Sequence, residues 1–183
     1  MTRPGRIGLI GGECSGKTTL AGALAEVLSG CVVDEQLRVF VEKHGRPPRA
    51  GEQGDVLRAQ ISHEDEGART CARDVLIVDP AALMTAVYSL SYYNDSSLID
   101  EAVEHARHYD LVVWCDIDLP WEADPGQRDG PDFRARVHEL LASIVAERLE
   151  PAGIRVVLVS GDVAERIGAV TRAWQPEAPI EPT

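Results

Sequence analysis

At 183 residues, 44% hydrophobic and 26% charged, the chain has the size and balance of one globular domain built on a single core. A formal net charge of −12 argues against a broad nucleic-acid or anionic-membrane surface, which needs clustered Lys and Arg. No apolar run is long enough to cross a bilayer, and the N-terminus lacks the form of a signal peptide, so the cytoplasm is the expected location.

Arg6 to Ile10 is a short apolar run that reads as a buried strand. It leads into Gly11-Gly12-Glu13-Cys14-Ser15-Gly16-Lys17-Thr18, which matches the phosphate-loop spacing G-x-x-x-x-G-K-[ST] at every fixed position. Thr19 to Leu28 follows as a helix, with Leu20, Leu24, Val27 and Leu28 on one face and Gly30 as its stop. Cys31 to Asp34 is the next strand. Gln36 to Lys43 looks helical, and His44-Gly45-Arg46-Pro47-Pro48 breaks it. Gln53 to Cys71 is polar with a weak helical repeat through Val56, Ala59 and Ile61, and reads as a partly exposed helix placed to close over a ligand.

Asp74 to Asp79 is the clearest interior strand, because its apolarity is continuous rather than alternating. Ala81 to Leu90 and Leu98 to Arg107 read as helices around a Tyr92-Tyr93-Asn94-Asp95 loop. Leu111 to Cys115 is another buried strand, again ending in an acid, Asp116. Leu119 to Pro131 holds three prolines and two glycines and reads as a loop. Phe133 to Leu149 is a strongly amphipathic helix. Arg155 to Val159 is the last strand, followed by a helix lined by Val163, Ile167, Val170 and Trp174. This alternation predicts an α/β fold of the P-loop NTPase type, with a mainly parallel five-stranded sheet and helices on both faces. It occupies residues 1–174, and 175–183 is a Pro-rich, flexible tail.

The four cysteines, Cys14, Cys31, Cys71 and Cys115, form no C-x-x-C pair. They are expected to be free thiols that pack as small hydrophobes, with no zinc site. His44, His63, His105, His108 and His138 show no metal spacing and read as surface or loop residues.

The chemistry converges on the carboxyl ends of the strands, where ligands sit in open α/β sheets. Backbone N–H groups from Gly12 to Thr19 would cradle phosphates at a helix N-terminus. Lys17 would reach the β- and γ-phosphates of ATP, and Thr18 would ligate Mg²⁺. Lys17 is one of only two lysines, with Lys43. Asp79, after four apolar residues, has the form of a Walker B acid on Mg²⁺, although the same position suits a helix N-cap. Asp116 has the same form and an equally good structural reading. Asp34 and Glu35 are the candidate general bases. Glu35 is favoured because it stands one helical turn before Arg38, a spacing that would also suit a plain surface ion pair. Arg128, in Gln127-Arg128-Asp129, would bring charge to the transition state from a closing loop. Arg134 and Arg136 follow it, and Arg136 reads as a surface charge. Trp121 suits stacking on a planar ring or the edge of a core.

These residues resemble a family. Ile10-Gly11-Gly12-Glu13-Cys14-Ser15-Gly16-Lys17-Thr18-Thr19-Leu20 is similar to the opening of the ribosylnicotinamide kinase domain of bacterial NadR-type proteins and their AAA-like stand-alone relatives. The resemblance continues at Glu35-x-x-Arg38, at Gln60, and at Asp79 with Leu83 to Tyr88. It returns at Leu119-Pro120-Trp121 with Asp124, Gln127, Arg128 and Asp129, and closes at Val159-Ser160-Gly161. It implies a kinase that uses ATP and Mg²⁺ on the ribose 5′-hydroxyl of nicotinamide riboside, with Asp34, Glu35, Arg38, Gln60, Asp79, Trp121 and Asp124 facing substrate. Many members carry Asp-Thr-Asp where this chain has Asp79-Pro80-Ala81, so a kinase for another metabolite or an antibiotic fits the same residues. So does a regulatory ATPase. The expected partners are ATP and a small-molecule acceptor, and a homo-oligomer is left open.

Overall fold

Val75, Leu76, Ile77 and Val78 are all buried, which a strand achieves only when both of its faces are covered. In the computed structural model of the chain, which describes residues 3–122 and 130–174, this run is β3 (Val75–Val78). It lies beside β1 (Gly5–Ile10), and β2 (Cys31–Val33), β4 (Leu111–Cys115) and β5 (Val156–Val159) complete one sheet in the order β2-β3-β1-β4-β5. Every pairing is parallel, so all five strands deliver their carboxyl ends to the same edge.

Helices α1 (Lys17–Val27), α2 (Gln36–His44), α3 (Gln53–Thr70), α4 (Leu83–Tyr93), α5 (Ile99–Ala106), α6 (Pro131–Ile144) and α7 (Val163–Trp174) connect or follow them. The two-residue period of β1 divides the core. Ile7 and Leu9 pack with Leu20, Leu24 and Val170 under α1 and α7, whereas Ile10 packs with Leu57, Val87 and Leu141 under α3, α4 and α6. No helix among the described residues is long and apolar enough to cross a membrane.

The elements differ from the sequence-based expectation where distant contacts intervene. Tyr92 and Tyr93 extend α4 instead of forming a loop. The Tyr92 ring stacks 4.6 Å from Phe133, the Tyr93 hydroxyl donates to the Pro48 carbonyl at 2.7 Å, and Asn94 closes the helix at φ 52°. Regular α6 ends at Ile144, and Val145–Leu149 continues as a π turn.

Two expectations are corrected. Cys31 and Cys71 are not free thiols but a disulfide. The reason is topological: Cys71 caps the end of α3, which packs against β2, and this brings the two Cα atoms to 6.0 Å across a separation of 40 residues. His105 is not a surface residue. It is 6% exposed, and its Nε2 lies 2.7 Å from Glu64. Asp124, Gln127, Arg128, Asp129 and the tail from Gln175 lie outside the described residues.

Candidate active site

The phosphate loop joins β1 to α1 at the centre of the sheet, and its shape depends on two glycines. Gly11 has φ 148°, and a Cβ there would stand 2.7 Å from Ser15 Oγ and 2.9 Å from the Cys115 carbonyl. Gly16, at φ 81°, would meet Leu119 at 2.9 Å. Neither backbone conformation suits an L side chain, and neither site has room for one. Inside the loop, Ser15 Oγ donates to the Gly12 carbonyl at 2.7 Å. Lys17 Nζ donates to the carbonyls of Gly11 and Gly12, each at 2.8 Å.

Arginines on two later helices hold the loop from outside. Arg166 of α7 is 1% exposed. Its guanidinium donates to the Ser15 carbonyl, to Asp118 and, at 2.9 Å, to the Gly161 carbonyl. Asp118 also accepts the Gly161 N–H. Burial alone would raise the Asp118 carboxyl, but that N–H and Arg166 hold it below the usual range. Arg134 of α6 donates to the Leu119 carbonyl at 2.9 Å. It packs its stem against Gly12 and lies 5.5 Å over the ring of Trp121, a cation–π distance. Trp121 therefore stands on the loop side of the crevice. Cys14 Sγ, 3.4 Å from the Glu122 carbonyl, ties the loop to the same segment.

The opposite wall is acidic. Val33 of β2 is in register with Val78 of β3, so Asp34 and Asp79 leave adjacent strands side by side, and the Asp79 N–H donates to the Val33 carbonyl at 3.0 Å. Asp79 is 8% exposed. The N-cap of α4 is Ala82, so the capping alternative for Asp79 is not realised. Burial raises the Asp79 carboxyl, while the Thr18 hydroxyl, Lys17 and Arg38 work against that rise and Asp34 adds to it. Its Oδ1 is buried without a hydrogen-bond partner.

Glu35 is the N-cap residue of α2. Burial raises its carboxyl too, Lys17 and then Arg38 oppose the rise, and Asp79 adds to it. Lys17 acts on the Glu35 carboxyl more strongly than Arg38 does, and Asp79 acts on it as well. Asp116 turns elsewhere: its carboxylate accepts its neighbour Ile117 N–H at 2.7 Å and lies 3.7 Å from His138. Gln60 is buried with both ends of its amide engaged. Its Oε1 accepts the Gln36 N–H at 2.8 Å, and its Nε2 lies 3.1 Å from Glu64 and 3.3 Å from the Pro80 carbonyl.

Mg²⁺ fits the residues present. A hard cation takes carboxylate and hydroxyl oxygens, and here a buried carboxylate oxygen without a hydrogen-bond partner stands on a side chain whose charged form the Thr18 hydroxyl favours. Among the described residues no group of three or more His, Cys, Asp and Glu side chains is placed to hold a metal ion by itself.

Sequence reading missed Arg166 and Glu64. Both left a signal: Arg166 interrupts the apolar stripe of Val163, Ile167, Val170 and Trp174, and Glu64 lies two turns beyond buried Val56 on one face of α3.

A parallel sheet with a glycine phosphate loop after its central strand defines a P-loop NTPase fold. The AAA domain family matches residues 6–166, and the chain belongs to that family. It is 26% identical over 121 residues to the trifunctional NAD biosynthesis/regulator protein NadR of Salmonella typhimurium, a match covering 64% of this chain and 30% of that protein. Among solved structures, NadR in complex with NR superposes with a TM-score of 0.73 at 18% identity, over 98% of this chain and 53% of that one. Thymidylate kinase from Ehrlichia chaffeensis gives 0.66 at 18% identity, over 96% and 100%. At such identities the superpositions speak for the fold.

Proposed function

We propose that the protein is a small-molecule kinase that transfers the γ-phosphoryl of ATP to a hydroxyl of a nucleoside-like acceptor, with nicotinamide riboside and its 5′-hydroxyl as the first candidate. The observation that carries this reading is that the phosphate loop with Lys17 follows β1 while Asp34 and Asp79 leave the neighbouring strands β2 and β3 side by side at the same edge of the sheet, with Glu35 next to Asp34. The NAD-biosynthesis relative supports the choice of acceptor.

In the reaction, the loop amides and Lys17 hold the triphosphate, Lys17 exchanging its two loop carbonyls for phosphate oxygens. Glu35 accepts the proton of the acceptor hydroxyl as the new P–O bond forms, the role of a general base. Its raised pKa brings it nearer the proton affinity such a base needs. Asp79 and Thr18 would hold Mg²⁺, which supplies neutralisation of phosphate charge when bound. Arg128 would add charge from the loop after β4, and Asp34, Arg38, Trp121 and Asp124 would contact acceptor or nucleotide. Ala81 is 1% exposed and belongs to the core, so position 81 offers the acceptor no group, and its recognition falls to the residues around Glu35.

Incubation with ATP, Mg²⁺ and a nucleoside panel that includes nicotinamide riboside should release ADP only when the right acceptor is present. ATP binding without acceptor-dependent ADP release from any member of the panel would overturn the kinase reading and leave a regulatory nucleotide-binding protein.

A further inference from the structure

The described interior holds one polar cluster that the reaction above does not use. Glu64 of α3 is fully buried, at 0% exposure, yet each of its two oxygens has two partners. Oε1 accepts from Gln60 Nε2 at 3.1 Å and from the Ala82 N–H at 2.9 Å. Oε2 accepts from the Tyr109 hydroxyl at 2.6 Å and lies 2.7 Å from His105 Nε2. A carboxylate offers about four lone-pair sites, and here each has a partner. The Tyr109 hydroxyl also approaches the Ala82 N–H, at 3.3 Å. Burial first, and then the charge of Glu64 and its hydrogen bond, push the Tyr109 phenol well above its usual range, which keeps it a donor.

Two of these bonds lead to the candidate site by short routes. Ala82 stands three residues after Asp79, and the Gln60 Nε2 also touches the carbonyl of Pro80, next to Asp79. The other end of the same amide accepts the N–H of Gln36, next to Glu35. One turn of α3 therefore grips the chain beside both acids.

Resting on the kinase reading above, we infer that Glu64 is a positioning residue for phosphoryl transfer, locking Gln60 so that Glu35 and Asp79 keep a fixed separation. A buried charge of this kind costs stability unless fully paired, and an apolar residue would fill the space as well. What the carboxylate adds is a link between α2 and the turn after β3, which are separate elements of chain. Misplacing a reacting group by about 1 Å costs on the order of a hundred-fold in rate.

The test compares Glu64→Leu with Glu64→Gln. The glutamine keeps one oxygen for Gln60 and Ala82, and Tyr109 and His105 can each reverse their bond to its amide. Expected for Glu64→Leu is amide exchange at Gln36 about ten-fold faster, and kcat lower by about ten-fold or more with KM for ATP within about two-fold. Glu64→Gln restores most of both. Unchanged exchange at Gln36, or an unchanged kcat, overturns the inference, and so does a Glu64→Gln variant as impaired as Glu64→Leu. Should Glu64→Leu fail to fold, Gln60→Met serves, with slowed kcat expected and a change confined to acceptor KM as the overturning result. A wild-type protein without acceptor-dependent turnover removes the kinase reading, and exchange at Gln36 then decides the clamp alone.

Discussion

The phosphate loop is fastened from several elements at once. Met84 of α4 lies 3.5 Å from the Gly11 N–H, Arg134 of α6 packs on Gly12, and Arg166 of α7 bonds the Ser15 carbonyl. The facing wall is held differently. Glu35 heads α2, a helix with no buried residue, attached to α3 through the Gln36–Gln60 bond and following the edge strand β2. A wall that binds a constant group can be rigid. The facing wall has a less buried helix and keeps its shape through few links, the Gln36–Gln60 bond and the Cys31–Cys71 disulfide among them.

Replacing Glu35 with Gln should break the comparison most sharply. If Glu35 is the general base proposed above, the variant loses the proton acceptor and keeps the shape, so turnover should fall by about 10² to 10⁴ while ATP affinity, measured by titration calorimetry, stays within about two-fold. A comparable loss of ATP affinity would show that the two walls do not divide the work in this way.

On the loop side, Arg166→Met should cost about 3–5 kcal/mol, the usual penalty for breaking a buried charge pair. The low end applies, because Asp118 is 33% exposed and water can take up part of its charge. Denaturant unfolding gives the stability, and ATP affinity should fall with it. A stable variant that binds ATP normally would make Arg166 a bystander. Removing the disulfide by Cys31→Ser should cost about 2–4 kcal/mol, mainly through the freed unfolded chain, yet leave ATP affinity unchanged, since Cys31 and Cys71 join β2 to the end of α3, with β3 between them and the strand that carries the phosphate loop.

Legibility in the sequence followed the distance over which each feature is determined. The strands at Val75–Val78 and Leu111–Cys115 could be read because continuous apolarity is local, and the loop because its glycines, Lys17 and Thr18 lie within eight residues. The pairing of Cys31 with Cys71 could not, because only the packing of α3 on β2 brings them together. Arg166 meets Ser15 across 151 residues, and Glu64 meets Tyr109 across 45. Each was visible as a charge on an apolar face, but the partner was not. The same limit applied to Asp79: its residue type fitted a cap or a metal ligand, and only the start of α4 at Leu83 removed the cap.

The smallest effect expected is on Asp79, and its sign is unusual. Burial raises this carboxyl above its ordinary 3.8, so folding favours its protonated form. The associated stability is fully present below the unfolded pKa and is lost as pH rises through the raised folded value. Without divalent metal, wild-type stability should therefore decline as pH climbs from the ordinary carboxylate range through that raised value. Glu35, raised for the same reason, adds to the decline. Asp79→Asn removes the buried charge with little change of shape. It should be the more stable protein at neutral pH, with the higher Tm, and on the kinase reading it should lose turnover. Adding Mg²⁺ with ATP should narrow or reverse the gap, because a cation compensates the Asp79 carboxylate and has nothing to compensate in the amide. Thermal melts of both proteins across pH, with and without Mg²⁺ and ATP, read this directly. Parallel pH slopes for the two would mean that burial does not raise the Asp79 carboxyl in the metal-free protein, and would remove it from the metal side of the site.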